Sequence, residues 1–506
     1  MTRPIRRHTS SSPRSGGGNR PPRRPDPVDP ARRAAYEAIA AVHRDDAYAN
    51  LALPAILRDV GLHGRDAAFA TELTYGTLRT VGTLDKIIEI AADRGAERID
   101  HPIRDALRMG VYQLLYTRVP AHAAASSTVN LVRAVSGDSG AGFANAVMRA
   151  ISQQDLDEWL RVVAPDEATD RVGYLAVTRH HPQWIVRAFA EALGGDLDET
   201  EAALTEDNER PQVHLCARPG RIDPIVLADQ VDGAPGAFSP YAVYLAGGAP
   251  GELRAIRSRA AHVQDEGSQL VAAALADAPL DDANGAAVAD ASSPADGAAV
   301  ASPPTGERWL DLCAGPGGKA GLLGALAAQR GATVTAVEVT PHRADLVRST
   351  CEGLPVTVVC ADGRDVGQEP ELPEGAFDRV LVDAPCSGLG SLRRRPEARW
   401  RRTPSDLPAL TRLQRELLAA AIRATRPGGV IAYVTCSPHI AETQVTVTET
   451  ARRSPIAVEL MDARAVLPDG MPGLGTGPTV QLWPHRHGTD AMFLALLKRA
   501  QTDPLN

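Results

Sequence analysis

From about residue 307 onward, short apolar strands alternate with segments whose apolar side chains recur at helical spacing. Strands are predicted at Trp309–Cys313, Ala332–Val337, Val356–Val359, Arg379–Val382 and Val430–Val434. A helix is predicted from Asp406 to Arg426, and Gly428 and Gly429 end it before the next strand. Strands that alternate with helices form a mostly parallel sheet with both faces covered. The pattern therefore predicts an α/β domain over residues 307–500.

The 506 residues correspond to about three domains of ordinary size. Between about Asp29 and Gln154, apolar residues recur at helical spacing and the loops are short, which indicates a helical bundle. The predicted organisation is a disordered basic tail (1–28), a helical domain (29–154), a helical linker (155–205), a small α+β subdomain (206–275), a flexible acidic insertion (276–306) and the α/β domain (307–500).

The formal net charge of −8 argues, taken alone, against a nucleic-acid-binding protein. The charge is unevenly distributed, because residues 1–25 hold seven arginines and no acid, whereas residues 276–306 hold five aspartates and no base. Both segments are rich in residues that cannot build a core. The net charge of the whole chain therefore does not describe the charge of its individual segments.

Several classes of protein are not indicated. No run of about 18 apolar residues is present, and no apolar stretch follows the basic N-terminus, so neither a membrane span nor a signal peptide is expected. The six cysteines are scattered without a CxxC pair, which fits neither a disulfide framework nor a zinc site. We expect a cytoplasmic protein without a metal, without a membrane and without a stable protein partner.

A glycine-rich turn, Asp311–Lys319, joins the first predicted strand of the α/β domain to a helix. Glycines allow a ligand to approach the backbone closely, and the helix N-terminus offers free N–H groups. A Walker A loop requires a spacing that is absent here, and Gly315, Gly317 and Gly321 match the dinucleotide fingerprint only weakly. The third candidate ligand is S-adenosylmethionine, which has no phosphates and needs carboxylates for its amino group and its ribose.

Acidic residues follow successive strands of this domain. Asp311 precedes the turn, Glu338 ends the next strand where it can accept ribose hydroxyls, and Asp362 follows the strand after that, near the expected adenine edge. The carboxyl ends of parallel strands form a ligand crevice. The acids therefore favour S-adenosylmethionine over a phosphate-bearing ligand.

Two further strands are each followed by a cysteine motif, Asp383-Ala-Pro-Cys386 and Thr435-Cys436-Ser437. A cytosine C5 atom is a poor nucleophile, but adding a thiolate to C6 makes C5 carbanion-like, so that it can accept a methyl group. A second acid/base group then helps to release the product, and a carboxyl group beside N3 stabilises the intermediate. Two cysteines and Asp383 supply these three functions.

Residues 263–497 resemble the RNA 5-methylcytosine methyltransferases, which carry one cysteine in Asp-Ala-Pro-Cys and another in Thr-Cys-Ser. Val263–Gln269, Trp483-Pro-His and Thr489–Phe493 are similar to further elements of that family. The resemblance implies that Cys436 is the nucleophile and that Cys386 assists product release. It also implies cofactor contacts from Cys313, Ala314, Gly315, Pro316, Gly317, Gly318, Lys319, Glu338, Asp362 and Asp383. Lys319 either holds the turn or reaches the cofactor's carboxylate.

An arginine-rich segment, Leu392–Arg402, follows the first cysteine motif and carries six arginines and one glutamate. Arginines neutralise phosphates, and an aromatic ring stacks on bases. RNA contacts are predicted for Arg393, Arg394, Arg395, Arg399 and Trp400. The target base must leave its stack to meet Cys436, which implies base flipping or a single-stranded loop.

The helical domain resembles the NusB-like domain of the Sun/Fmu/RsmB branch, through Gly110–Tyr116, Pro120-Ala-His122 and Asn145–Arg149. That branch methylates cytosine in 16S ribosomal RNA, and NusB-like domains bind RNA. The implied fold is an all-α NusB-like bundle, a small α+β segment and an α/β, Rossmann-like class I S-adenosylmethionine-dependent methyltransferase domain. A tRNA cytosine methyltransferase and a non-catalytic RNA-binding assembly factor remain the alternatives.

Overall fold

The computed structural model describes residues 28–281 and 306–501. The predicted basic tail, except for its last residue, and residues 282–305 of the predicted acidic insertion lie outside the described residues. The N-terminal domain contains helices α1 (Pro30–Arg44), α2 (Ala49–Asp59), α3 (Gly64–Ala92), α4 (His101–Tyr116) and α5 (Ala121–Ile151). Asp29 caps α1 by accepting a hydrogen bond from the Arg32 N–H, and Pro30 occupies its first turn. Gly137, with φ +82°, divides α5 into two helical halves.

Four shorter helices connect this bundle to the rest of the chain: α6 (Leu156–Val163), α7 (Arg171–Thr178), α8 (Gln183–Ala192) and α9 (Leu197–Glu206). A small antiparallel sheet follows, built from β1 (Val213–Ala217), β2 (Ala234–Pro235), β3 (Ala242–Leu245) and β4 (Ala261–Val263), with α10 (Pro224–Gln230) and α11 (Arg254–Arg257). Its strand order is β2-β3-β1-β4. Helix α12 (Glu266–Asp277) leads from it to the large sheet.

The last domain is built on one large sheet. Its elements are β5 (Arg308–Asp311), α13 (Gly318–Arg330), β6 (Thr333–Val337), α14 (Pro341–Thr350), β7 (Val356–Val359), β8 (Phe377–Asp383), α15 (Ala398–Arg401), α16 (Leu407–Ala424), β9 (Thr425–Thr435), α17 (Gln444–Arg453), β10 (Val458–Met461), β11 (Val480–Gln481), α18 (Pro484–His487) and β12 (Phe493–Arg499). The strand order is β10-β12-β9-β8-β5-β6-β7, with β11 paired to β12. Strands β5 to β9 are parallel, and β12 joins them antiparallel to β9. The predicted fold class is confirmed.

Two sequence predictions about this domain need correction. The predicted helix ends at Ala424, and Gly428 and Gly429 lie inside β9 rather than before it. The insertion predicted to begin at residue 276 begins later, since α12 continues to Asp277. Ala278 and Leu280 are buried in the same apolar cluster as Trp309. Burial of these apolar side chains holds the start of the segment against the large sheet.

The apolar strands of the large sheet are covered by helices on both faces, in clusters that include Trp309, Leu326 and Leu494 on one side and Phe377, Leu418 and Tyr433 on the other. Because β5 to β9 run in the same direction, their carboxyl ends meet at one edge. The predicted catalytic and cofactor-binding residues lie at or soon after these strand ends.

Candidate active site

A cavity of about 760 Å³ lies at the carboxyl ends of β5 to β9. It is lined by residues of the glycine-rich turn, by the acids after β6 and β7, and by both cysteine motifs. Predicted site residues among them are Cys313, Gly315, Pro316, Glu338, Asp362, Asp383, Cys386, Arg395 and Cys436. Sequence reasoning did not foresee that Asp46 and Tyr48, from the N-terminal domain, also line it. One cavity therefore joins the predicted cofactor turn to the predicted nucleophile.

The glycines of the turn are required by close packing. A side chain at Gly315 would place its Cβ 2.1 Å from Glu338 Oε2, and Gly317 has φ +112°, a conformation that favours glycine. Arg343 fixes the turn by donating from Nη2 to the Gly315 carbonyl at 2.6 Å. The cavity reaches the bare backbone at Gly315. Of the other predicted turn residues, Ala314, Gly317, Gly318 and Lys319 lie behind the lining rather than in it.

The acids at the strand ends differ in their partners. Glu338 is buried, and its Oε1 accepts the Thr340 N–H at 2.9 Å, while Arg343 lies 3.4 Å from Oε2. Asp362 is paired with Arg364 at 2.7 Å, which lowers the pKa of its carboxyl. Asp311 is fully buried, and its Oδ2 has no hydrogen-bond partner. Burial, followed by the nearby charge of Asp383, raises the pKa of Asp311 to about 7.

These residues fit S-adenosylmethionine. The cofactor carries a cationic sulfur and an ammonium group, and the cavity edge offers Glu338, Asp362 and Asp383 beside a turn with no side chain at Gly315. The unpartnered Oδ2 of Asp311, at the start of the turn, is a further buried acceptor there. The described residues contain no cluster of three or more His, Cys, Asp or Glu side chains that could hold a metal ion.

Lys319 binds a carboxylate of the site. Its Nζ lies 2.8 Å from Asp383 Oδ2, and the lysine side chain is only 11% exposed. Burial alone lowers the pKa of Lys319, but the Asp383 carboxylate raises it overall. This ion pair joins the end of the turn to the end of β8. A buried, paired cation also lies close enough to Cys436 to influence that thiol.

The two motif cysteines face each other across the ends of β8 and β9. Cys386 Sγ and Cys436 Sγ are 3.4 Å apart. Their hydrogen bond lowers the pKa of Cys436 and raises that of Cys386, and Lys319 lowers the pKa of Cys436 further. The nearby Glu442 carboxylate acts in the opposite direction, raising the pKa of Cys386. These directions favour loss of the proton from Cys436 before Cys386.

A buried glutamate that sequence reasoning missed connects the two cysteine motifs. Glu442 Oε1 accepts the Ser387 N–H at 2.8 Å and Gln414 Nε2 at 3.0 Å. Its Oε2 accepts the hydroxyls of Ser387 and Ser437 at 2.5 and 2.7 Å. Ser387 directly follows Cys386, and Ser437 directly follows Cys436. The Glu442 carboxylate therefore links the two cysteine motifs and helps to fix the distance between them. The only sequence signal was an acid five residues after Ser437.

Most arginines of the segment Leu392–Arg402 bond to other parts of this chain. This finding corrects the predicted RNA contacts of Arg393 and Arg399. Arg399 is fully buried; its Nη1 donates to Asn208 Oδ1 at 2.7 Å and its Nη2 donates to the Asp207 carbonyl at 2.7 Å. Arg393 is 4% exposed and lies 3.5 Å from Glu206 and 3.7 Å from Asp490. Neither guanidinium is available to a phosphate, because each is occupied inside the protein.

Trp400 and Arg394 are also engaged by other parts of the chain. Trp400 Nε1 donates to the Leu78 carbonyl at 2.8 Å, and the ring packs against Gly82 of α3, where a Cβ would come within 2.5 Å of it. Arg394 pairs with Asp265 at 2.7 Å and with Asp490 at 3.0 Å. Of the five predicted RNA contacts, Arg395 alone is exposed and lines the cavity, so its RNA contact stays a prediction.

Within residues 28–281 and 306–501, no helix is both long and apolar enough to cross a membrane.

Comparisons with known proteins assign the two main parts of the chain. Residues 298–498 match the family model described as 16S rRNA methyltransferase RsmB/F, and residues 29–153 match the NusB family. The protein Rv1407 of Mycobacterium tuberculosis (strain ATCC 25618 / H37Rv) is 54% identical over 488 residues, which cover 96% of this chain and 99% of that one. Ribosomal RNA small subunit methyltransferase B of Escherichia coli O6:K15:H31 is 31% identical over 80% of this chain and 86% of its own length.

Among solved structures, the crystal structure of PH0851 superposes with a TM-score of 0.74 at 21% identity, covering 94% of this chain and all of that one. This likeness supports the arrangement of the domains. The chain therefore belongs to the RsmB/F family of S-adenosylmethionine-dependent RNA methyltransferases.

Proposed function

We propose that this enzyme methylates C5 of a cytosine in 16S ribosomal RNA through a covalent adduct between Cys436 and C6 of the base. The observation that carries the proposal is the pair of thiols 3.4 Å apart in the cavity that also reaches the glycine-rich turn. Cytosine needs a nucleophile at C6 and a second acid/base group for release. This cavity offers both at adjacent strand ends.

The chemistry follows from the protonation of the two thiols. The Cys436 thiolate forms a bond to C6, and the electron pair of the C5–C6 double bond becomes available at C5. Cys313–Lys319, Glu338, Asp362 and Asp383 would hold S-adenosylmethionine, which when bound supplies a methyl group on a positively charged sulfur. Afterwards the C5 proton leaves, the double bond re-forms and the bond between Cys436 and C6 breaks. Water accepts the C5 proton, the electron pair of the C6–S bond returns to Cys436, and the Cys386 thiol assists by donating a hydrogen bond to the departing Cys436 sulfur.

Asp383 contributes a carboxylate at the same point. Lys319 occupies its Oδ2, whereas its Oδ1 accepts no hydrogen bond from the described residues. That oxygen is free to contact the N3 side of the base or the cofactor's amino group. A carboxylate that accepts a hydrogen bond from N3–H favours the N3-protonated ring, in which the negative charge that accumulates when the thiolate adds is neutralised.

Ribosomal RNA is favoured as substrate by the name of the matched family model and by that of the Escherichia coli relative. The cytoplasm, where ribosomal RNA is modified, remains our proposed location. The tRNA alternative is tested in the same experiment. Membership of an enzyme family disfavours the alternative of a non-catalytic assembly factor.

The test uses purified full-length protein, labelled S-adenosylmethionine and separate samples of 16S rRNA and tRNA. We expect label in 16S rRNA, at a cytosine that bisulfite sequencing identifies as 5-methylcytosine. Cys436→Ala should abolish labelling, while cofactor binding measured by calorimetry stays intact. Turnover by Cys436→Ala would contradict the covalent mechanism, and label confined to tRNA would replace the proposed substrate.

Cys386→Ala provides the complementary prediction. Without the second thiol, addition and methylation proceed but release is slowed, so a covalent protein–RNA complex should accumulate. It is detected as a band that survives denaturing electrophoresis. The double variant Cys386→Ala/Cys436→Ala is the matched control and should form no such band. Normal turnover by Cys386→Ala would remove Cys386 from the mechanism.

A further inference from the structure

The N-terminal domain contributes an aromatic side chain to the wall of the catalytic cavity. Tyr48 precedes α2 directly, in extended backbone with φ −87° and ψ 130°. It lines the same cavity as Cys386 and Cys436, yet 45% of its surface remains exposed. A large aromatic ring left open beside a reaction centre is available to a ligand rather than consumed by packing.

The loop that carries Tyr48 is held by the arginine-rich segment. Arg401 Nη2 donates to the carbonyls of Val42 at 2.6 Å and Ala47 at 2.5 Å, on either side of the turn. Glu397 Oε1 accepts the Ala49 N–H, at 3.2 Å, at the start of α2. These bonds fix the backbone immediately before and after Tyr48. The ring is therefore positioned by the catalytic domain, although it belongs to the helical domain.

Two guanidinium groups flank the ring. Arg395 and Arg401 lie over the Tyr48 ring, with their central carbon atoms 5.3 and 5.5 Å from its centre, so a stacked base would share the ring with these cations. Arg395 is exposed and also lines the cavity. An aromatic face with adjacent cations suits a nucleobase joined to a phosphate, because the ring stacks on the base while the guanidinium neutralises the backbone.

The position of Tyr48 separates this contact from cofactor binding. Glu338 and Asp362, which would hold the cofactor's ribose and adenine, follow β6 and β7 on one side of β5. Cys386 and Cys436 follow β8 and β9 on its other side, and the segment that holds Tyr48 continues from the Cys386 motif. The residues that hold the backbone around Tyr48 thus follow the strand that leads to Cys386 rather than the strands that lead to Glu338 and Asp362.

We propose that Tyr48 stacks on a base next to the target cytosine and that Arg395 pairs with the adjoining phosphate. This inference rests on the proposed function for its substrate. The helical domain then takes part directly in presenting the nucleotide to Cys436, in addition to any RNA contact elsewhere on its surface. Tyr48 is a positioning residue, since it acts on the target through a neighbouring base.

The test compares Tyr48→Leu, which removes the aromatic face, with Tyr48→Phe, which keeps it. We expect Tyr48→Leu to lower kcat/KM for 16S rRNA about tenfold, the effect of losing one stacked base, and to leave the KM for S-adenosylmethionine unchanged. Tyr48→Phe should behave like the natural protein. Leu51→Ala is the matched control, because Leu51 is exposed on α2 and does not line the cavity.

Binding of 16S rRNA, measured by filter retention at one fixed salt concentration, gives a second reading that does not need catalysis. Tyr48→Leu should bind about tenfold more weakly than Tyr48→Phe. Equal kcat/KM and equal binding for the two variants would overturn the inference, and so would equal impairment of both. If the natural protein produces no 5-methylcytosine, the proposed function fails, and the binding comparison still decides whether Tyr48 stacks on RNA.

Discussion

At the scale of single residues, the structure distinguishes two cysteines that their motifs leave nearly equivalent. Each follows a buried strand and faces the same cavity, so the division of labour came from family resemblance rather than from spacing. The surroundings now give a physical reason for it. The hydrogen bond between the two sulfurs lowers the pKa of Cys436 and raises that of Cys386. Lys319 lowers the pKa of Cys436 further, against burial and the Asp383 carboxylate, and Glu442 adds to the rise at Cys386.

This assignment predicts how the reaction responds to pH. Lys319→Met removes the cation that lowers the pKa of Cys436, so the thiolate should form only at higher pH. The rising limb of kcat/KM against pH should move to more alkaline values, and alkylation of Cys436 by iodoacetamide should move with it. Lys319→Arg keeps the charge and serves as the control. A lower plateau with an unmoved limb would show that Lys319 only supports the turn.

At the scale of elements, the parallel strands were predictable because their apolar runs and following acids are local patterns. The prediction for Val356–Val359 matches β7 residue for residue. The antiparallel addition of β12 beside β9 was not foreseen, because pairing between distant strands leaves no periodic signal. Gly428 and Gly429 were interpreted as a helix end, yet they lie in β9, where tertiary pairing overrides a local turn signal.

Glu442 illustrates a contact that no local pattern contains, since its partners come from the loop after β8, from α16 and from the loop after β9. Glu442→Ala leaves four donors without their acceptor and should loosen both cysteine motifs. We expect kcat to fall about a hundredfold, as when reacting groups are misplaced by about 1 Å, with the KM for S-adenosylmethionine unchanged.

A trivalent arsenical that needs two adjacent thiols provides the readout of spacing for this variant. The natural protein should bind one equivalent, and Glu442→Ala should bind it more weakly at unchanged thiol content. Glu449→Ala removes a partly exposed acid from α17 and is the matched control. Tight arsenical binding by Glu442→Ala would show that other contacts set the distance between Cys386 and Cys436.

At the scale of the whole molecule, the segment Leu392–Arg402 has a different role from the one its charge suggested. Arginine binds RNA phosphates and also donates hydrogen bonds to buried carbonyl groups, so the number of arginines in a segment does not show which of these roles they have. Arg399 is enclosed by Asp207, Asn208 and His180, and burial lowers its pKa to about 9. The segment connects the catalytic sheet to the linking helices and to the helical domain.

Arg399→Met should therefore be strongly destabilising. It keeps the length of the side chain but leaves the buried carbonyl groups of His180 and Asp207 and the Asn208 side-chain oxygen without their donor. We expect a loss of about 3 kcal/mol or more in the free energy of unfolding, at about 1 to 3 kcal/mol for each unsatisfied acceptor, measured by urea denaturation. Arg402→Met is the control, since the Arg402 side chain is half-buried and has no ion pair in the described part of the chain; it should change stability by less than about 0.5 kcal/mol. Similar losses for both variants would contradict the role of Arg399.

The fastening of Leu392–Arg402 bears on how this enzyme can be re-engineered. The helical and catalytic parts match separate family models, which suggests modules that could be exchanged. Trp400, however, is seated on α3, and Arg401 holds the carbonyl groups beside Tyr48. A hybrid with another helical domain would lose the contact of Trp400 with α3 and the contact of Arg401 with the loop that carries Tyr48. It would also lose the part of the catalytic cavity that Asp46 and Tyr48 line. A functional hybrid will therefore require that residues 45–49 of the helical domain and residues 392–402 of the catalytic domain are taken from the same protein.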